Sequence, residues 1–400
     1  MRSNEVIQGT EGGALFTSIP FSDRSALYAE SEPMTVAVRA LDIDRLMHIR
    51  QLGLKHLATA PDREDMSFYR NPTGTRYEHS LTAALGAVDI ATYLGFSGSD
   101  ISKLRIAALL HDRKMPALGD ATQMVDKPNL DEEKFWDEDL PDKAWEYMAS
   151  QGATHDEIHA IINNEGPLGQ ILNIADRISY VTGDLQDLNR PPLDSKLGNI
   201  YKELAVDPAS GEIHFINHKR LRQFLLERAW LFGMFYLDDP GQAKDFAVAS
   251  MVSEFYDPQS SENDSLTPRR LRQMTDENLI QFLAQKFGIK SADFHDASKW
   301  GLRYTRTKTL EGATNTLNAI NSDKRYRGLG IKKSVGFKPS TEFRVWDEFE
   351  QTHLPAHEFF NYGTSQFING LSKDQEGFLV IYTDANNNGP TKHILRQRII

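Results

Sequence analysis

Cysteine is absent from all 400 residues. Disulfides and thiolate metal sites are thereby excluded, and any metal must be held by His, Asp or Glu. Long hydrophobic runs are missing too: no segment approaches the length of a membrane span, and the opening MRSNEVIQGTEGG has no signal-peptide core. The expectation is a cytoplasmic protein with no membrane partner. Positive charge is outweighed, with 45 Lys and Arg against 56 Asp and Glu. A formal net charge of −11 argues against general, backbone-driven nucleic-acid binding. Internal repeats and long low-complexity tracts are also lacking.

What remains is the profile of a globular protein, 40% hydrophobic and 25% charged, with room for one large domain or two ordinary ones. Helical periodicity dominates. Residues 34–60 carry apolar positions at helical spacing, from Val36 through Ile49, and lead into Arg50-Gln51-Leu52-Gly53. After the turn formers of 71–75, a helix begins near Arg76 and should stop by Gly95. The SGSD segment at 97–100 supplies capping oxygens for the next helix, which ends in IAALL before His111. Further helices are expected at about 142–151, 155–163, 167–188, 218–237 and 241–256. DPQSSENDSLTP (257–268) reads as a linker or surface excursion, and TDENLIQFLAQKFG as a helix capped by Thr275 or Asp276 and stopped by Gly288. Near the end, FLVIYT, ANNNGP and HILRQRII read as a β-hairpin. The domain expectation is a helical core with an N-terminal extension over 1–256, a linker and completing helix over 257–290, and a small α+β lobe over 291–400.

Chemistry concentrates at His79 in RYEHS, the pair His111–Asp112 in AALLHD, and Asp176 in NIADRISY. A lone histidine is usually structural. The HD pair differs, because it follows five apolar residues and an unpaired carboxylate at a buried helix end is costly. A divalent metal would compensate that charge; the competing account is a buried Asp–Arg pair using Arg76 or Arg177. Asp176, Tyr180 and Asp184 recur at i, i+4 and i+8 and so share a helix face. That stripe suits either a sugar hydroxyl near a metal-bound phosphate or an ordinary polar surface. Charge is uneven elsewhere: Asp131 to Asp142 is acidic and Lys324 to Lys338 basic, each a solvated face unless the basic run contacts phosphate.

IRQLGLKHL, TRYEHSL, AALLHD and ADRISYVTGDL, in this order, resemble the HD-domain deoxynucleoside triphosphate triphosphohydrolases, which include bacterial dGTPases and the SAM-and-HD-domain dNTPase of animals. The resemblance covers roughly residues 40–290. It implies a mainly α fold, an HD-domain helical core to which the smaller C-terminal α+β lobe is appended, and one divalent metal (Mn, Fe or Mg) held by His79, His111, Asp112 and Asp176. It further implies that Gln51 and Leu52 face the nucleoside, Arg76 the phosphates, and Tyr180 and Asp184 the sugar hydroxyl. The R-x7-Y pair Arg228 and Tyr236 would line the phosphate and base ends. A homo-oligomer is the family's usual assembly.

The family continues the HD pair as H-D-x-x-H-x-P-F-x-H, with a His-Glu further on. Here the chain reads HDRKMPALGD, so Met115 and Asp120 replace the two histidines, and DEEKFWDEDL carries none. Methionine can neither carry a proton nor bind phosphate. The implied activity is a (d)NTP triphosphohydrolase releasing nucleoside and tripolyphosphate by metal-activated water, with Asp112 essential and Asp120, Asp131 or Glu138 as general acid. The alternatives are a nucleotide-binding sensor with little turnover, or a phosphohydrolase for a different or modified nucleotide.

Overall fold

The computed structural model describes residues 32–51, 53, 74–187, 197–216, 218–260, 264–334, 343–347, 352–355, 376–394 and 396–400. Helix α1 (Glu32–Leu41) is followed by a 3-10 turn, Asp44–His48. The single helix expected from residue 34 onward is therefore broken. Asp42 takes a left-handed backbone at φ 57°, which a helix cannot contain. Its continuation beyond residue 53, and Leu52 itself, lie outside the described residues, as do residues 71–73, 261–263 and 335–338 of the segments singled out above.

The core is built from α2 (Arg76–Tyr93), α3 (Gly98–Leu110), α4 (Asp142–Ser150), α5 (His155–Ile162) and α6 (Gly166–Asp187). Three of these five starts carry a side-chain cap. Thr75 forms a capping box with Glu78, Ser97 caps α3, and Thr154 with Glu157 repeats the box on α5. Helix α2 is rich in small buried residues, among them Ala83, Ala84, Gly86, Ala87 and Ala91, so α3 and α6 approach it closely on both sides. The two histidine segments and Asp176 sit on these three neighbouring helices.

After α6 come strands β1 (Leu204–Val206) and β2 (Ile213–Phe215), then α7 (His218–Leu231), a π-helical turn over Phe232–Tyr236, and α8 (Asp239–Ser253). Helices α9 (Pro268–Gln273) and α10 (Asp276–Phe287) follow; α10 is capped by Thr275 and ended by Gly288 in the left-handed region, as its sequence predicts.

From residue 302 onward the described chain is mostly strand: β3 (Leu302–Thr307), α11 (Leu310–Ser322), β4 (Tyr326–Ser334), β5 (Arg344–Asp347), β6 (Thr352–Pro355), β7 (Gly377–Asp384) and β8 (Arg398–Ile399). One sheet has the order β3-β7-β4-β8, with β7 antiparallel to both neighbours, so β3-α11-β4 is a split βαβ unit. Helix α11 covers one face through Ala313 and Leu317, and α8 the other, where Phe246 meets Leu329, Leu379 and Ile381. Gly330, at φ 154°, lets β4 pass this close: a Cβ there would collide with Arg398 backbone and the Phe246 ring. The expected terminal hairpin is not formed. β4 separates β7 from β8, which pairs parallel to it, because a 3-10 turn at Pro390–His393 redirects the chain. β5 and β6 join a second sheet, β1-β2-β5-β6, where Phe343 packs on Phe215 and Phe224 of the helical core. No helix among the described residues is long and apolar enough to cross a membrane.

Candidate metal centre

His79 lies one turn into α2, His111 and Asp112 at the C-terminal end of α3, and Asp176 midway along α6. The packing of these helices gathers His79, His111 and Asp176 into a group that could hold a metal, with Asp112 bordering both imidazoles. His79 Nε2 is 2.8 Å from Asp176 Oδ1, and His111 Nε2 is 3.6 Å from the same oxygen. The Asp112 carboxylate lies 3.7 Å from each imidazole, Oδ2 facing His79 and Oδ1 facing His111. Adjacent ligands on a first-row ion with bonds of about 2.1 Å stand roughly 3–3.5 Å apart, so these separations suit a shared cation.

The tautomers suit it as well. His111 Nδ1 lies 2.8 Å from the Ala108 carbonyl oxygen, and His79 Nδ1 3.4 Å from the Ser179 hydroxyl, which leaves Nε2 of both rings facing inward. His111 Nε2 is buried and makes no hydrogen bond among the described residues. An orphaned ring nitrogen beside two carboxylates is what a ligand set looks like before it closes on an ion.

Electrostatics agree. Burial pushes the Asp176 carboxyl up, but the His111 and His79 imidazoles beside it hold it well below its usual range. Burial likewise opposes ionisation of Asp112, and Arg76 with the two imidazoles overcomes it. Burial pulls His111 down; the Asp112 and Asp176 charges outweigh it and raise the ring to about 10. Two ionised carboxylates are thus ready for a metal, and one imidazole must first lose a proton.

Arg76 donates from NH1 to Asp112 Oδ2 at 2.9 Å and lies 4.0 Å from Asp120 Oδ1. The Asp–Arg pairing weighed from sequence therefore exists at Asp112, alongside the imidazole contacts. Asp120 is largely exposed, whereas Met115 is 2% exposed and belongs to the apolar core. Glu138 does not join the centre: it forks onto Arg272 at 2.7 and 2.8 Å, which occupies both its oxygens. Asp131 accepts from the Glu133 backbone.

The residues that sequence reasoning missed are Glu132 and Glu133. Burial and the charge of Asp112 raise Glu132 to about 8, and Gln123 donates to its carboxylate. Glu133 is raised by burial too, with His111, Asp112 and Asp176 all within electrostatic reach. Composition marks this run as acidic but gives no sign of which carboxylates turn inward.

Tyr180 and Asp184 continue the Asp176 stripe, about 6 and 12 Å along the helix by its rise. Arg228 Nε donates to the Tyr180 hydroxyl at 2.6 Å, and the Tyr236 hydroxyl donates to Asp184. In a regular helix, residues eight apart sit about 80° from each other. The π turn at Phe232–Tyr236 absorbs one residue, so Arg228 and Tyr236 fall nearly on one face and meet both partners on α6. Phe232 covers the Arg228 guanidinium at 4.8 Å and packs edge-on against Tyr236 at 5.0 Å. Gln51 is half-buried, with its backbone N–H bonded to Gly74 just ahead of α2.

Comparison with known proteins gives a consistent picture of the fold. A hypothetical protein from Aquifex aeolicus has a similar structure, with a TM-score of 0.61 at 15% identity over 93% of this chain and 95% of that one. A phosphohydrolase from Bacteroides thetaiotaomicron gives a TM-score of 0.63 at 15% identity, over 88% and 96%. No curated protein matches the sequence. The family model described as HD domain matches residues 76–180. Residues 76–180, which carry all four side chains of the centre, are an HD domain.

Proposed function

We propose that this protein is a divalent-metal-dependent phosphohydrolase whose substrate is a nucleoside triphosphate, most simply a (d)NTP cleaved to nucleoside and tripolyphosphate. The carrying observation is the meeting of His79, His111 and Asp176, with Asp112 bordering both imidazoles and His111 Nε2 making no hydrogen bond among the described residues. The fold shared with a protein named a phosphohydrolase supports the same reading. An ion of the manganese, iron or magnesium class, bound by these four residues, would supply a Lewis acid and a lowered pKa for water.

The chain's own groups would do the rest. Arg76 is a fixed cation at the edge of the centre, and its buried Nε makes no hydrogen bond among the described residues. It would orient and neutralise a phosphate oxygen. Tyr180, Asp184, Arg228 and Tyr236 form a hydrogen-bonded wall one to two helical turns from Asp176, and the Asp184 carboxylate suits a sugar hydroxyl. Glu132 keeps its proton to about pH 8 beside Asp112, which makes it the group to protonate the leaving oxygen; Asp120 is the exposed alternative.

One observation favours a second reading, a nucleotide sensor with little turnover: Met115 replaces a histidine with a core side chain that carries no proton. Incubation with Mn2+ and each dNTP or NTP separates the two. Nucleoside plus tripolyphosphate, lost in Asp112→Ala, supports the hydrolase; saturable binding without product across metals supports the sensor.

A further inference from the structure

We propose that a second site, separate from the metal centre, binds inorganic phosphate as orthophosphate or pyrophosphate. It is the cavity between the Asp44–His48 turn and the segment just after the HD pair, lined by Arg45, Arg113, Lys114, Arg272, Asp42 and Asp139 among others. At about 210 Å³ it is smaller than the roughly 300–1,000 Å³ of organic-ligand pockets, so it fits a phosphate rather than a nucleoside.

Four of these residues are cations, and Arg113, Lys114 and Arg272 are only 6%, 5% and 3% exposed. Their hydrogen-bond partners are mostly carbonyls, with the Asp276 carboxylate facing Arg45, and Asp42, Asp139, Glu138 and Asp137 facing Arg113 at longer range. Arg45 donates to three backbone carbonyls, of Met274, Arg113 and Met115. Arg113 donates to three more, of Trp136, Glu138 and Asp139, and its Nε is buried with no hydrogen bond among the described residues. Carbonyl dipoles fix a guanidinium in place but leave its net charge standing. Only Arg272 is matched directly, by Glu138. Lys114 Nζ stands 3.6 Å from Asp139 Oδ2, beyond hydrogen-bond reach, and the Asp139 oxygens already accept from Arg269 and Gln273. Asp42, 3.8 Å from Arg113, is half exposed. A phosphate would give the ammonium an acceptor closer than Asp139 and give the Arg113 Nε the partner it lacks among the described residues.

Calorimetric titration of the full chain with orthophosphate and with pyrophosphate tests this, since the pair also shows which form the cavity prefers. Asp176→Asn disables the metal centre and should leave one binding event. Lys114→Met, which keeps the packed stem, should weaken that event more than tenfold. Asp139→Asn should tighten it about fivefold by removing a facing carboxylate; asparagine tolerates the φ of 57° at this position. A purely structural role for the cluster predicts no tightening. Binding lost entirely with Asp176→Asn, unchanged in Lys114→Met, or unchanged or weaker in Asp139→Asn overturns the proposal. Should Lys114→Met fail to fold, the Asp139→Asn titration decides.

Discussion

Arg76 donates to Asp112 Oδ2 at 2.9 Å, and the same oxygen stands 3.7 Å from His79 Nε2. One buried carboxylate thus faces a permanent cation on one side and a candidate metal-ligating nitrogen on the other. Replacing Arg76 with Ala strips Asp112 of its nearest charge partner. The metal-free protein should lose about 3–5 kcal/mol of stability, as when one partner of a buried pair is removed. Saturating Mn2+ should recover much of that, because the ion neutralises the same carboxylate. Urea unfolding with and without metal measures both; an equal loss in the two conditions would separate Asp112 from the ion.

The pH dependence of metal uptake follows from His111. In the metal-free protein its pKa is raised from 6.5 to about 10, against burial, by Asp112 and Asp176. A raised folded-state value contributes stability that is full below 6.5 and disappears as pH climbs through 10. The ion needs the neutral ring, so binding must expel this proton, and affinity should climb with pH across the same window. Calorimetry in buffers of different ionisation enthalpy counts the released proton. A pH-independent affinity across that window would be inconsistent with His111 as a ligand.

Met115→His would place a histidine where the resembled family carries one. Because Met115 is packed in the apolar core, the imidazole would be buried there at a cost of about 1–3 kcal/mol. The expected result is a lower melting temperature and no gain in turnover. A faster enzyme would mean that this position reaches the substrate.

Replacing Tyr236 with Phe should remove the hydroxyl that donates to Asp184 and leave the π turn in place. Losing a hydrogen bond to a charged group corresponds to a tenfold or larger rise in nucleotide KM, at roughly 1.5–3 kcal/mol. Bound metal should be unchanged. A KM that stays put would detach Tyr236 from substrate recognition.

Local signals account for most of what the sequence conveyed. Ser97 and Thr275 announced helix starts, and Gly95 and Gly288 announced stops, because caps act within a few residues. The metal group was readable because His111–Asp112 closes an apolar helix, where a carboxylate needs compensation. What eluded sequence reasoning depends on distant chain segments. Nothing near FLVIYT shows that β4 will intervene before β8, and nothing near Phe343 shows that it returns to Phe215. Asp42 looked like any polar residue in a helical pattern, yet its left-handed backbone ends α1. Within DEEKFWDEDL, Glu138 and Glu132 are chemically alike; Arg272, over a hundred residues later, claims the first and leaves the second beside Asp112.

Titration of metal-stripped protein with Mn2+, followed by electron paramagnetic resonance, tests the metal centre most directly. A single tight ion per chain, lost in both Asp112→Ala and Asp176→Ala, is the predicted result. Wild-type binding in either variant, or no tight ion in the unaltered protein, would contradict it.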